Sequence, residues 1–175
     1  MFGIRKAALA GLAAISGLVL ALGPAAPASA EESVEGPFTI ANPGTGKCLE
    51  VADWSDLNGA AIRQWDCHGG LNQLWYIVDV NLTGYSTLVN ASSHKCVDIP
   101  GGNVGNGVQL IQWDCHYESN QRWAMLYPHG DGPDREFAWG SYRMEIGGYS
   151  RANGAPAQLW ARNGGENQQW GVGVR

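Results

Sequence analysis

The pattern Asn-Gln-x-Trp stands three times in this chain, at Asn72-Gln73-Leu74-Trp75, Asn120-Gln121-Arg122-Trp123 and Asn167-Gln168-Gln169-Trp170. The copies begin 48 and then 47 residues apart, and their flanks match. In every copy a Trp stands fifteen residues after an acid: Glu50 to Trp65, Asp98 to Trp113, Glu145 to Trp160. The Gln of the pattern stands twenty-three residues after the same acid, at Gln73, Gln121 and Gln168. No insertion or deletion breaks these offsets, so one unit is present three times. A unit of about 45 residues cannot bury an apolar face alone, so the copies must pack on one another.

Within each unit the hydrophobic pattern is that of strands. Gly, Asn, Asp and Pro interrupt the chain at intervals of roughly eight to twelve residues, and helix signals are nearly absent. Between them lie short apolar or alternating runs such as Phe38-Thr39-Ile40, Cys48 to Val51, Leu74 to Val80 and Val108 to Trp113. Three units of around four strands each predict an all-β, closed threefold arrangement of about twelve strands. A propeller needs roughly four to eight blades. A β-trefoil with pseudo-threefold symmetry is the expected solution, with repeats at about 36–80, 85–127 and 135–174.

The two Trp sets divide by context. Trp75, Trp123 and Trp170 lead into apolar strands and are expected to meet in the core, where large rings dominate burial. Trp65, Trp113 and Trp160 lie in segments bounded by turns. Residues two apart on a strand share a face, which places Arg63 beside Trp65, Ile111 beside Trp113 and Gln158 beside Trp160.

The ends and the composition narrow the setting. Arg5 and Lys6, the apolar run Ala7 to Leu22 and the small residues Ala28-Ser29-Ala30 have the layout of a secretory signal peptide. Residues 1–30 are therefore expected to be removed, 31–35 to form a short N-terminal tail, and 36–175 to form one domain. No second apolar stretch suggests a membrane span. Without Arg5 and Lys6, nine of the eleven basic residues remain against sixteen acidic ones. An acidic chain without basic clusters argues against nucleic acid and anionic lipid as partners. A secreted monomer is expected.

Four cysteines in an exported chain read as disulfides. Cys48 and Cys67 are 19 apart, as are Cys96 and Cys115, at equivalent repeat positions. Pairing within repeats is the symmetric solution. Each closed loop of about 20 residues stabilises by roughly 3 kcal/mol in the chain-entropy model. The third repeat carries Arg143 and Arg162 at the matching places and is expected to lack a staple. Zinc knuckles need ligands roughly two to four residues apart, a spacing that His68 and His116 beside the cysteines do not supply. No metal or cofactor is expected.

An indole face beside a carboxylate and a carboxamide suits a sugar. The C–H face of a pyranose packs on the ring, a carboxylate accepts hydroxyl protons, and an Asn amide both donates and accepts. The competing reading has the acids closing turns and the amides satisfying buried backbone. The segments Cys96-Val97-Asp98-Ile99, Gln112-Trp113-Asp114-Cys115-His116 and Asn120-Gln121-Arg122-Trp123 resemble the ricin B-type lectins, also grouped as carbohydrate-binding module family 13. The likeness covers essentially the whole chain beyond the leader. It implies a β-trefoil with up to three shallow sites, called α, β and γ, for galactosides or xylan-type polysaccharides.

In that family the Asp and the Asn bond sugar hydroxyls, the aromatic stacks on the ring, and the following Gln steadies the Asp. A further Gln two residues before the aromatic adds a contact. Carried onto this chain, the β repeat supplies Asp98, Trp113, Asn120 and Gln121, with Ile111 in place of that further Gln. The γ repeat supplies Gln158, Trp160, Asn167 and Gln168, with Glu145 for Asp. The α repeat supplies Trp65, Asn72 and Gln73, with Glu50 for Asp and Arg63 for Gln. The expected order of competence is β, then γ, then α, because a Glu carboxylate stands a methylene further out.

Catalysis is not expected. Glycosidases set two carboxylates roughly 5 to 9.5 Å apart about the scissile bond, and each cluster here offers one. Nucleophile-elbow and zinc-protease motifs are absent. A third reading, a protein-interaction or inhibitor module with degenerate sugar sites, stays open because fold does not fix function. The polar connection from Tyr127 to Phe137 offers such a module a loop, though its composition reads first as a linker between repeats.

Overall fold

Short alternating runs punctuated by turn residues give strands and single 3₁₀ turns, and no α-helix, among the described residues of the computed structural model, which are 32–80, 82–128 and 134–174. The expected signal peptide lies outside them. The first repeat carries β1 (Glu32–Asn42), β2 (Lys47–Val51), β3 (Ile62–Trp65) and β4 (Leu74–Val80). The second carries β5 (Tyr85–Asn90), β6 (Cys96–Asp98), β7 (Val108–Gln109), β8 (Ile111–Trp113) and β9 (Trp123–Leu126). The third carries β10 (Asp134–Trp139), β11 (Tyr142–Ile146), β12 (Ala157–Ala161) and β13 (Trp170–Val174). Strands β7 and β8 are one expected strand interrupted at Leu110, which is why thirteen appear where twelve were expected.

Six strands close a barrel in the order β1, β4, β5, β9, β10, β13 and back to β1, every pair antiparallel. Closure removes the free edges that an open sheet would expose. Three hairpins, β2–β3, β6–β8 and β11–β12, cap one end and pair with each other across repeat boundaries, as at Gln158 with Gln109 and Arg63 with Pro156. This is a β-trefoil. Strand β1 begins at Glu32 rather than at Gly36. Residues 32–35, expected as a tail, pair with Ile77 to Val80 of β4 ahead of an irregularity between Glu35 and Phe38. The open edge of β4 recruits them.

Trp75, Trp123 and Trp170 are completely buried, together with Ile40, Leu88, Phe137 and Met144. The Trp75 indole donates to the Leu49 carbonyl (3.0 Å) and Trp170 to that of Met144 (3.1 Å), so each ties a barrel strand to its own hairpin. Truncating one such indole to Ala costs about 3–5 kcal/mol.

Cys48–Cys67 and Cys96–Cys115 are disulfide-bonded within their repeats. The third repeat has no disulfide, as expected, but an ion-pair staple takes its place. Buried Glu136 accepts from Arg143 Nε (2.6 Å) and from Arg162 Nε (3.0 Å) and Nη2 (3.2 Å). The two arginines at the cysteine positions are thus joined through one carboxylate supplied by β10. Burial alone would raise the Glu136 carboxyl, but hydrogen bonds from Arg162 and Arg143, with their charges, hold it below the ordinary Glu value.

A ring of asparagines orients the hairpins. Asn58 of the first repeat donates to Asp114 (2.8 Å) and accepts from its backbone N–H (3.0 Å). Asn153 of the third repeat treats Asp66 identically, and Asn106 of the second accepts from the Ala161 N–H (2.7 Å). Each contact pins the residue that follows Trp65, Trp113 or Trp160, so each of these three indoles is set by the repeat next to its own.

Candidate functional site

In each repeat the acid stands on the first strand of the hairpin, directly across from the residue two before the exposed Trp: Glu50 from Arg63, Asp98 from Ile111, Glu145 from Gln158. A 3₁₀ turn then brings the Asn-Gln pair beneath the acid. In all three repeats the acid and the Asn-Gln pair are in hydrogen-bond contact, and Trp65, Trp113 and Trp160 each stand two residues past the position that faces the acid.

In the second repeat Asn120 Nδ2 donates to both oxygens of Asp98 (3.0 Å each), and Gln121 Nε2 donates to Oδ2 (2.8 Å). The Gln121 amide oxygen accepts from the His116 N–H (2.9 Å), which fixes which end of the amide faces the acid. His116 Nε2 lies 3.4 Å from Asp98 Oδ2. Above them opens a cavity of about 320 Å³ walled by Asp98, Gly101, Ile111, Trp113, His116 and Asn120. Trp113 is 43 % exposed, and its ring forms a bare platform. Burial raises the Asp98 carboxyl above its ordinary value, against the lowering effect of hydrogen bonds from Gln121 and Asn120 and of His116. The site has an aromatic floor, a carboxylate with lone pairs to spare, and an amide carbonyl.

The third repeat repeats the frame with more donors on the acid. Glu145 Oε2 accepts from Asn167 (3.0 Å), Gln168 (3.0 Å) and Asn163 (3.4 Å), and Oε1 accepts from Gln158 (3.0 Å). The longer Glu therefore keeps the Asn-Gln partners and gains two, so the extra methylene is absorbed by the side chain folding back. Trp160 is 36 % exposed. Tyr149 lies over Gly165 so closely that a methyl group there would sit 2.3 Å from its hydroxyl. The Asn167 amide oxygen is buried without a partner.

The first repeat is filled by its own side chains. Arg63 Nε donates to Glu50 Oε1 (2.9 Å), Nη2 donates to Asp53 (3.0 Å), and the guanidinium lies 4.5 Å from the centre of the Trp65 ring. It occupies the space between aromatic face and carboxylate. Trp54 stacks on His68 (5.6 Å between ring centres), whose Nε2 lies 3.4 Å from Glu50. A methyl group at Gly70 would stand 2.1 Å from the Trp54 ring. The Asn72 amide oxygen is buried and unpartnered, as in the third repeat.

Sequence reasoning passed over the residue four places after each acid: Trp54, Gly102 and Tyr149. An aromatic there covers the Asn, whereas Gly102 leaves Asn120 half-buried and facing the cavity. It also passed over His68, His116 and Asn163 as neighbours of the acid. Both sets recur at fixed repeat offsets, and that recurrence was the signal available. Asp66 and Asp114, which adjoin the exposed indoles, are held by Lys47 and Lys95 and by the asparagine ring. The lysine hydrogen bonds, followed by those of the asparagines, lower both carboxyls, the reverse of what a proton donor needs. Among the described residues no group of three or more His, Cys, Asp or Glu could hold a metal ion, and no helix is long and apolar enough to cross a membrane.

A trefoil that repeats an indole, a carboxylate and an amide pair in every unit has the build of a lectin. The family model for the ricin-type beta-trefoil lectin domain matches residues 36–170, and the chain belongs to that family. Among solved structures, the designed threefold-symmetric protein ThreeFoil is similar at 28 % identity and a TM-score of 0.75, over 79 % of this chain and 98 % of that one. An exo-β-1,3-galactanase from Clostridium thermocellum matches at 32 % identity and a TM-score of 0.73, over 79 % of this chain but only 30 % of that one. The Macrolepiota procera ricin B-like lectin, solved in complex with lactose, shares the fold at 22 % identity and a TM-score of 0.67, over 85 % of this chain and 98 % of that one.

Proposed function

We propose that this protein is a secreted, non-catalytic lectin that binds galactosides or xylan-type polysaccharides through its second repeat, with the third repeat as a weaker site. The observation that carries this reading is the cavity over Trp113, where an exposed indole faces a carboxylate already oriented by Asn120 and Gln121. Such pre-organisation spares the ligand the entropic cost of ordering the site. A sugar ring laid on Trp113 can give hydroxyl protons to Asp98 and to the Asn120 carbonyl. In the third repeat Gln158 and Asn167 both donate to Glu145 and Tyr149 covers the Asn167 amide, which makes that site the weaker one. In the first, Arg63 already fills the space.

The leader-like residues 1–30 and the two disulfides support export. Each cluster has one well-buried carboxylate, and the additional acids near the indoles are engaged by lysine, which supports binding without turnover. A shallow site of roughly millimolar affinity is worth about 4 kcal/mol. Two such sites on one rigid monomer gain apparent affinity on a polymer. A glycan array that includes xylan, arabinogalactan and lactose, probed with residues 31–175, tests the reading. Binding weakened roughly thirtyfold by Trp113→Ala is the expected result. Silence from folded protein overturns it and points instead to a protein partner.

A further inference from the structure

A cavity of about 460 Å³, larger than the one over Trp113, lies between the second and third repeats, walled by Tyr85, Tyr117, Glu118, Arg122 and Trp139. Its volume falls within the roughly 300–1,000 Å³ of small-ligand sites. Its aromatics are not products of the repeat. Trp139 stands in strand register where the other repeats have Asn42 and Asn90, and Tyr117 where they have Gly69 and Gly164. The backbone of all three latter positions is left-handed: φ is 58° at Tyr117 and 73° at both glycines. Glycine takes that conformation freely, whereas a bulky side chain is strained by it. The trefoil therefore forms without an aromatic here, and Tyr117 is held in a costly conformation with its ring partly in solvent.

The polar groups are equally open to a ligand. Trp139 spends its N–H on the Ser119 carbonyl (2.8 Å), which fixes the indole against the loop. Arg122 is half-buried, and no ion pair or side-chain hydrogen bond engages its guanidinium among the described residues. Glu118 is exposed beside it. Aromatic faces flanked by one strong donor group and one strong acceptor group match a pyranose, whose hydroxyls need both.

The segment 116–120 is a shared wall. His116 and Asn120 face the cavity over Trp113, while Tyr117, Glu118 and Ser119 face this one. We propose that this second cavity is an extension subsite, which takes a further pyranose unit of the glycan chain whose first unit lies on Trp113. The inference rests on the lectin reading of the second repeat. It makes the β site a binder of oligosaccharides rather than of terminal sugars alone.

Calorimetric titration with lactose, and with ladders of β-1,3-galacto-oligosaccharides and xylo-oligosaccharides from disaccharide to hexasaccharide, tests it. The protein is compared with Tyr117→Gly, Arg122→Ala and Trp113→Ala. Affinity is expected to rise about tenfold along the ladder that fits, the range of one added aromatic contact. Tyr117→Gly and Arg122→Ala should erase that rise and leave the shortest ligand's affinity unchanged. Tyr117→Gly should also raise Tm, because it restores the residue used by the other repeats; a purely structural Tyr117 would lower it. A rise with length that survives both variants overturns the subsite and leaves the lectin reading standing. Failure of lactose and both ladders to bind folded protein, or binding indifferent to Trp113→Ala, overturns the lectin reading and the subsite with it.

Discussion

The first and second repeats share backbone, disulfide, acid, indole and amide pair, yet one is full and the other open. Beside Glu50 in place of Asp98, two substitutions make the difference. Arg63 replaces Ile111, and its guanidinium is long enough to bridge Glu50 and the Trp65 face. Trp54 replaces Gly102 and covers Gly70 and His68. The carboxylate that lines an open cavity in the second repeat is, at the equivalent position of the first, neutralised by an internal cation. A binding residue is thus defined by what else reaches it.

The largest test of this contrast concerns the staple that keeps the third repeat in register with the other two. Glu136→Ala leaves the buried Arg143 and its neighbour Arg162 without a counter-charge. Urea unfolding should show a loss of about 3 kcal/mol, the cost of breaking a buried ion pair from one side. The Glu136 carboxyl is lowered in the folded protein, so its contribution is complete above the ordinary Glu value of 4.5 and is lost as pH falls through the lowered folded value. Chemical reduction near neutral pH should loosen the first two repeats and spare the third, as amide exchange would report.

Next in size is the paired truncation of the hairpin indoles Trp113 and Trp65. Trp113→Ala should weaken sugar binding by about 2 kcal/mol, roughly thirtyfold, from lost apolar contact. Trp65→Ala should leave it unchanged. Equal losses would erase the distinction between open and filled sites. A smaller effect is expected from opening the first repeat. Arg63→Gln with Trp54→Gly copies the third repeat's Gln and the second repeat's Gly, at a cost of about 1 kcal/mol in stability for the weakened charged hydrogen bonds. It should add one binding site by calorimetric stoichiometry.

The smallest effect is one of pH. The Asp98 carboxyl is raised by burial, so binding at the second repeat should begin to weaken at a pH above the ordinary value of 3.8. The sign is opposite for the fold. A carboxyl raised on folding favours its protonated form in the native state, so protonating Asp98 stabilises the protein as pH falls. Sugar binding should disappear before unfolding begins, which intrinsic fluorescence with and without ligand would follow.

Much of the fold was legible because the unit is written three times. A core Trp in one copy predicted a core Trp in the others, and Cys48–Cys67 and Cys96–Cys115 followed from equal spacing. The start of β1 was not legible, because Glu32 to Glu35 have no counterpart pattern and are recruited only by the open edge of β4. The acids, indoles and amides of the sites were legible as types at fixed offsets. Their state was not. The arginines at 143 and 162 read as the loss of a disulfide until β10 placed Glu136 between them.

The sequence by itself determined the threefold trefoil, its three buried indoles and the membership of each site, since period and residue type are local properties that repetition makes visible. Only the tertiary structure decided which sites are open. Occupancy depends on side-chain reach across strands and on whether the residue four places past the acid folds back over the Asn. Sequence order does not encode those distances, which are fixed only when the hairpins close on one another.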